Sequence, residues 1–251
     1  MLKLARLGEG PEIFHSLQGE GVNAGRPSVF VRTSTCNLHC VWCDTDYTWN
    51  WEGTTFHHER ERDPGYCKFR REQEVVETSV AEAANRVASF PCRDVVLTGG
   101  EPMLQQARLA DLMEQLRRRD PAYAFEVETN GTLRPDDRFD AFVAQYSVSP
   151  KLANSGNAAP LRLRWEALQW FAASPKAWCK FVVCAPADVD EIEALAARLA
   201  LPAHRVLLMP EGRTAAEVEA NRDLVVGLCL AKGYSFSDRL HLRLFGPVRG
   251  A

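Results

Sequence analysis

Apolar positions change period repeatedly along this chain, and each change marks an element. In "SVAEAANRVASF", Val80, Ala83, Ala84 and Val87 fall on one side of a helix, and Ser79 followed by Glu82 forms a capping box that fixes its start. "RLADLMEQLRRR" repeats the helical spacing through Leu109, Leu112, Met113 and Leu116. Between them, "DVVLT" (94–98) is a β-rich run that stops at a Gly-Gly turn. Further strands are predicted near 123–128, 146–149, 178–184, 205–209 and 240–245, with helices near 188–200 and 214–232 separating the later ones. Repeated strand–helix units imply a parallel sheet with right-handed crossovers. About six such units suit an α/β fold of the partial (β/α)6 TIM-barrel type, with a doubly wound sheet as the alternative.

Four polar clusters follow directly on strand runs: "TGGEP" (98–102), "ETNG" (128–131), "SPK" (149–151) and "MPEG" (209–212). In either architecture the C-terminal ends of the strands share one rim, so chemistry is expected there. One stretch fits no period. Residues 49–71, "WNWEGTTFHHERERDPGYCKFRR", are polar and aromatic and read as a solvated insertion or a lid. No repeat, low-complexity tract or linker divides the rest, so a single domain over 1–251 is expected.

Composition narrows the function classes. The chain has 251 residues, 46% hydrophobic and 25% charged, with a formal net charge of −3, which offers no basic excess for nucleic acid. The start lacks a long apolar run and no stretch is long enough to span a membrane, so a cytoplasmic protein is expected. Eight cysteines would suit a disulfide framework only in a small secreted chain. Cys179, Cys184 and Cys229 sit in apolar runs, where a reduced cysteine behaves as a small hydrophobe, and Cys67 lies in a polar segment.

The remaining constellation is "TSTCNLHCVWCDTDY", with Cys36, Cys40 and Cys43 at spacing C-x3-C-x2-C. Structural zinc is normally four-coordinate, so zinc here would need His39, Asp44, His57 or His58 as a fourth ligand, and no second C-x2-C pair exists. A four-iron cluster held by three thiolates instead leaves one iron open to a substrate or cofactor.

That spacing, with Trp42 before the last cysteine, closely resembles the radical S-adenosylmethionine superfamily, and "TGGEP" matches its Gly-Gly-Glu-Pro element. The longer segment "FHSLQGEGVNAGRPSVFVRTSTCNLHCVWCDTDYTW", together with "ETNG", "SPK", "MPEG" and "LHLRLFGPVRG", is similar to the 7-carboxy-7-deazaguanine synthase family. The resemblance implies a radical ring contraction of 6-carboxy-5,6,7,8-tetrahydropterin with loss of ammonia, in queuosine or related deazapurine synthesis. It implies that Cys36, Cys40 and Cys43 hold a [4Fe–4S] cluster. S-adenosylmethionine would meet Trp42, Asp44, Gly99, Gly100, Glu101, Glu128, Ser149, Pro150 and Lys151. Met209, Pro210 and Glu211 would lie near its adenine, where some relatives carry a different sequence. Leu17, Gln18, Gly19, Thr98, His241 and Pro247 would face the pterin, and Arg32 would take its carboxylate, a task that suits a rigid guanidinium fork. Thr45 would bind Mg²⁺ beside the substrate. Short members end at the equivalent of Pro247, so Val248 to Ala251 put a terminal carboxylate role there in doubt. A reducing protein such as flavodoxin or ferredoxin and a homodimer are the implied partners. A radical activase of a partner protein, or a zinc-stabilised binding module, is the alternative class.

Overall fold

A computed structural model describes residues 1–251. The chain opens with strands β1 (Leu2–Leu7), β2 (Gly10–Pro11), β3 (Ile13–Leu17) and β4 (Pro27–Thr33). A short helix α1 (Arg71–Glu74) leads into β5 (Val75–Thr78). Helices and strands then alternate as α2 (Val80–Ala88), β6 (Asp94–Gly99), α3 (Gln106–Arg119), β7 (Ala124–Thr129), α4 (Asp137–Asp140) and β8 (Val143–Val148). The remainder is α5 (Ala159–Arg162), α6 (Trp165–Ala173), β9 (Ala177–Val183), α7 (Asp188–Arg198), β10 (Val206–Pro210), α8 (Ala215–Lys232), β11 (Ser235–Phe236) and α9 (Leu240–Phe245).

Strands β4, β6, β7, β8, β9, β10 and β11 lie side by side in that order, all parallel. The order never reverses, so there is no topological switch point of the kind a doubly wound sheet requires. Strand β11 does not reach β1 or β2 at the far edge, so the barrel is open. Strands β1, β2, β3 and β5 form an antiparallel fringe beside β4, which the sequence reading did not foresee.

The expected strand at 240–245 is instead helix α9. "LHLRLF" alternates apolar and polar residues as a strand would, but only Leu242 is buried, and Leu244 and Phe245 are exposed. The chain is turned at both ends of this piece: Leu240 N–H donates to Gly19 O at 2.8 Å, and Gly246 stops the helix at φ 74°. The last strand is β11, two residues that extend β10.

Strand pleating sorts the side chains. Val95 and Leu97, Phe125 and Val127, Cys179, Phe181 and Val183, and Val206 and Leu208 join the helices in one large core. The alternate positions point into the barrel, where Phe14, Phe30 and Val96 make a small apolar floor. Above them the inner face is polar on one side, with Arg32 in register with Thr98 and Glu128 with Ser147, and apolar on the other, with Val182 in register with Met209. Two-residue periodicity thus delivers a ring of functional side chains to one cavity.

Candidate active site

The cavity, of about 210 Å³, opens at the C-terminal ends of the parallel strands. Its first wall is the loop after β4. The turn of Gly99 and Gly100 is pressed against that loop: Gly100 N–H donates to Thr33 O at 3.0 Å and Glu101 N–H to Thr35 O at 2.9 Å. A Cβ at Gly99 would collide with the Thr33 backbone, and one at Gly100 with the Thr35 carbonyl. The glycines are therefore needed to dock strand end on cysteine loop, a reason independent of any ligand. Thr35 itself holds a positive φ of 76° at the bend that brings Cys36 inward.

Cys36, Cys40 and Cys43 are all reduced and all line the cavity. Burial, then the charge of Asp44, pushes the Cys43 thiol up to about 12. Burial also raises Cys40, and burial with the Glu101 charge raises Cys36 well above its usual value. Without a metal these thiols stay protonated, so binding one must release protons. No three His, Cys, Asp or Glu side chains converge closely enough for a single ion, which disfavours the zinc reading. The spread-out triad fits a four-iron cluster, in which each thiolate serves a different iron.

Residues 49–71, expected to be a solvated insertion or a lid, are docked on the cysteine loop. They fold over the cysteine loop and pack their aromatic side chains against it. Trp49 meets the edge of His39, Phe56 stacks on His39, and the Tyr66 hydroxyl donates to Asp46 at 2.6 Å. His58 Nε2 lies 2.8 Å from Cys43 O, and Glu59 N–H donates to Val41 O at 2.8 Å. Their aromatic content, which had no period, is explained by this docking.

Arg32 stands at the end of β4. Its Nε donates to Glu12 at 2.6 Å, and the fully buried Glu12 also accepts from Tyr47 at 3.1 Å and Arg249 at 3.4 Å. The two terminal nitrogens of Arg32 make no hydrogen bond within the chain, and the residue lines the cavity. Burial works against the Arg32 cation, but Tyr47 and Glu12 outweigh it and raise its pKa, so it is permanently charged.

The other expected residues distribute as follows. Leu17, Gln18, Gly19, Thr98 and His241 line the cavity, and a Cβ at Gly19 would strike the His241 ring. Thr98 donates to Glu128 at 2.6 Å and Gln18 to the same carboxylate at 3.0 Å. Trp42, Asp44, Thr45, Ser149, Lys151, Met209 and Glu211 also reach the cavity, with the Thr45 hydroxyl 3.6 Å from Cys43 Sγ. Four residues do not. Pro150 and Pro210 are set back from the surface, and Glu101 is fully buried under the Gly-Gly turn. The Glu101 carboxylate accepts from Met103 N, Thr129 Oγ1 and Asn130 N at 3.0, 2.8 and 2.7 Å, so its oxygens bind the scaffold. Pro247 is the fourth; beyond it Arg249 donates to Glu74 at 2.8 Å, stacks on Tyr47, and Ala251 lines the cavity instead.

The second wall went unread in the sequence. Glu20 accepts from the buried Lys180 of β9 and, at 3.1 Å, from Arg239, which also pairs with Asp44 and donates to Gly212 O. Burial alone would raise Glu20, but the charges of Lys180 and Arg239 override it and hold it far below the usual carboxylate range. Asp44 is likewise lowered, Arg239 prevailing over burial. Two cations and two carboxylates thus form a compensated ionic wall facing the thiols.

This arrangement defines a class. The sequence profile of the radical SAM superfamily matches residues 30–149, spanning β4 to the end of β8. The crystal structure of QueE from Escherichia coli shares the fold, with a TM-score of 0.65 at 23% identity over 91% of this chain and 92% of that one. A 7-carboxy-7-deazaguanine synthase from Pyrobaculum aerophilum is 37% identical over 241 residues, 95% of each chain. Another, from Halobacterium salinarum, is 36% identical and covers 96% of this chain and 93% of its own. The chain belongs to the 7-carboxy-7-deazaguanine synthase family. Membership of the radical SAM superfamily brings with it a [4Fe–4S] cluster and S-adenosylmethionine.

Proposed function

We propose that this chain, acting as one radical SAM domain, converts 6-carboxy-5,6,7,8-tetrahydropterin into 7-carboxy-7-deazaguanine with loss of ammonia, feeding queuosine or a related deazapurine. The observation that carries the reading is the union, in one cavity, of three reduced thiols, one buried and two half-buried, with an arginine whose terminal nitrogens are free. Cys36, Cys40 and Cys43 hold the cluster. The cluster with S-adenosylmethionine supplies the one-electron chemistry that removes a substrate hydrogen. Around it, Gly99, Gly100, Ser149 and Lys151 offer backbone and side-chain polar groups to the cofactor, and Glu128 takes a ribose hydroxyl. Met209 and Glu211 flank the adenine.

Arg32, oriented by Glu12, grips the substrate carboxylate through its two unengaged nitrogens. Gln18, Thr98 and His241 direct the pterin ring. Thr45 gives Mg²⁺ a hydroxyl oxygen, a hard donor suited to an ion that keeps several waters. Electrons come from a small reducing protein of flavodoxin or ferredoxin type, and the working unit is a homodimer. No helix is long and apolar enough to cross a membrane.

The test is turnover by anaerobically reconstituted protein with carboxytetrahydropterin, S-adenosylmethionine, Mg²⁺ and a reductant. Formation of 7-carboxy-7-deazaguanine is expected. Its absence while the cluster is intact would sink the assignment.

A further inference from the structure

Each of the three cysteine sulfurs is approached by one side-chain N–H donor from a different part of the chain. Trp49 Nε1 donates to Cys43 Sγ at 3.3 Å, Asn157 Nδ2 lies 3.4 Å from Cys40 Sγ, and Asn130 Nδ2 lies 4.0 Å from Cys36 Sγ. We infer that Trp49 and Asn157, with a weaker contribution from Asn130, set the reduction potential of the cluster by donating hydrogen bonds to its thiolates.

The donors are fixed, and fixed toward sulfur. An indole nitrogen can only donate, and a buried donor needs an acceptor. Trp49 is 3% exposed, its only acceptor is Cys43 Sγ, and its ring is wedged against His39, Phe56 and His58. The Asn157 amide is oriented by its own oxygen, which accepts His39 N–H at 2.9 Å, so its NH₂ group faces Cys40 and Ser155. Asn130 divides its donation, giving a shorter bond to Asn37 at 2.9 Å, which explains its longer reach to Cys36.

One-electron reduction adds negative charge that the thiolates share. An N–H dipole aimed at sulfur stabilises that charge, so each donor favours the reduced cluster and raises its potential. This also gives the aromatic segment after the cysteine loop a purpose: it clamps Trp49 in place.

The inference rests on the cluster reading above, and the test separates the two. Wild type, Trp49→Phe and Asn157→Asp are reconstituted anaerobically, their iron and sulfide measured, and their midpoint potentials determined by redox titration followed by electron paramagnetic resonance. Neither S-adenosylmethionine nor pterin is added. Trp49→Phe keeps the packed ring and loses only the donor. It should shift the reduction equilibrium about tenfold toward the oxidised cluster, about 59 mV more negative for one electron. Asn157→Asp keeps the acceptor for His39 N–H and puts a negative charge beside Cys40, so its shift should be larger and of the same sign. Should Trp49→Phe fail to hold a cluster, Asn157→Asp alone decides. Wild-type potentials in the cluster-loaded variants would overturn the proposal while leaving the cluster reading intact. A wild-type chain that assembles no cluster would overturn both.

Discussion

The two walls of the cavity are built in opposite ways. The cysteine wall comes from consecutive residues, and its reactive groups are neutral thiols held up by burial until a metal displaces their protons. The ionic wall is gathered from Glu20, Asp44, Lys180 and Arg239, far apart in the chain, and is fully charged from the start. The first wall is therefore energetically idle without its ligand. The second is part of the fold itself, because its buried charges, Glu20, Lys180 and Arg239, depend on one another, with Asp44 at the exposed rim. Arg239, the residue just before α9, matters most, because it alone contacts both carboxylates.

The sharpest way to break this contrast is to compare one residue from each wall in metal-free protein. Arg239→Ala leaves Glu20 short of a partner and Asp44 without one, and should cost about 3–5 kcal/mol in urea unfolding. Cys36→Ala removes a half-buried neutral thiol and should cost less than about 1 kcal/mol, although no complete cluster can then assemble. Equal costs would show that the cysteine wall is as structural as the ionic one.

A smaller effect sharpens the contrast at the boundary between the walls. Arg32 belongs to the cysteine side in sequence but carries a permanent charge. Arg32→Ala should leave the fold standing, because Glu12 keeps Tyr47 and Arg249 as donors. It should weaken carboxytetrahydropterin by about 100-fold, the worth of two charge-assisted hydrogen bonds, with S-adenosylmethionine unchanged in equilibrium dialysis. Equal weakening of both ligands would remove Arg32 from the substrate side.

The same division explains what could be read from sequence. Cys36, Cys40 and Cys43 sit within one turn-rich loop, so their spacing carries their chemistry. The parallel strands from β6 to β10 were legible because each buries one face against helices over several residues. In the fringe beside β4, β1 pairs across long sequence gaps, such as Leu2 with Thr78, β2 is only two residues long, and β3 meets β4 through a local hairpin, so little regular period marks them. Lys180 and Arg239 were missed for the same reason. In sequence each is one charged residue in an apolar or mixed run, and only the barrel brings both to Glu20. Glu101 shows the converse. The motif marks it as a cofactor contact, whereas in the fold its carboxylate accepts from Met103, Thr129 and Asn130; a motif does not say whether a carboxylate faces the ligand or the scaffold beneath it. Asn157 was invisible, since a lone asparagine in a loop has no signature, whereas Trp49 stood in the segment whose aromatic content had no explanation.

The barrel interior holds another carboxylate, Glu126, that tests the ionic wall by contrast. Glu126 lies on the inner face of β7, 8% exposed, and accepts from Asn23 at 2.8 Å and Gln18 at 3.4 Å, but no cation touches it. Burial first, and the neighbouring Glu128 charge second, push it from 4.5 up to about 7, the reverse of Glu20 in the same barrel. The sign of the pH effect follows. Between the two values the folded chain keeps a proton that the unfolded chain has lost, so Glu126 favours folding at low pH and that advantage fades as pH rises toward 7. Glu126→Gln cannot titrate and keeps an oxygen for Asn23. Relative to this variant, wild type should lose on the order of 2 kcal/mol of unfolding free energy between about pH 5 and about pH 8. Urea midpoints across that range measure it. Parallel profiles would mean that Glu126 is ionised throughout, and that the interior is as well compensated at β7 as it is between Glu20 and Arg239.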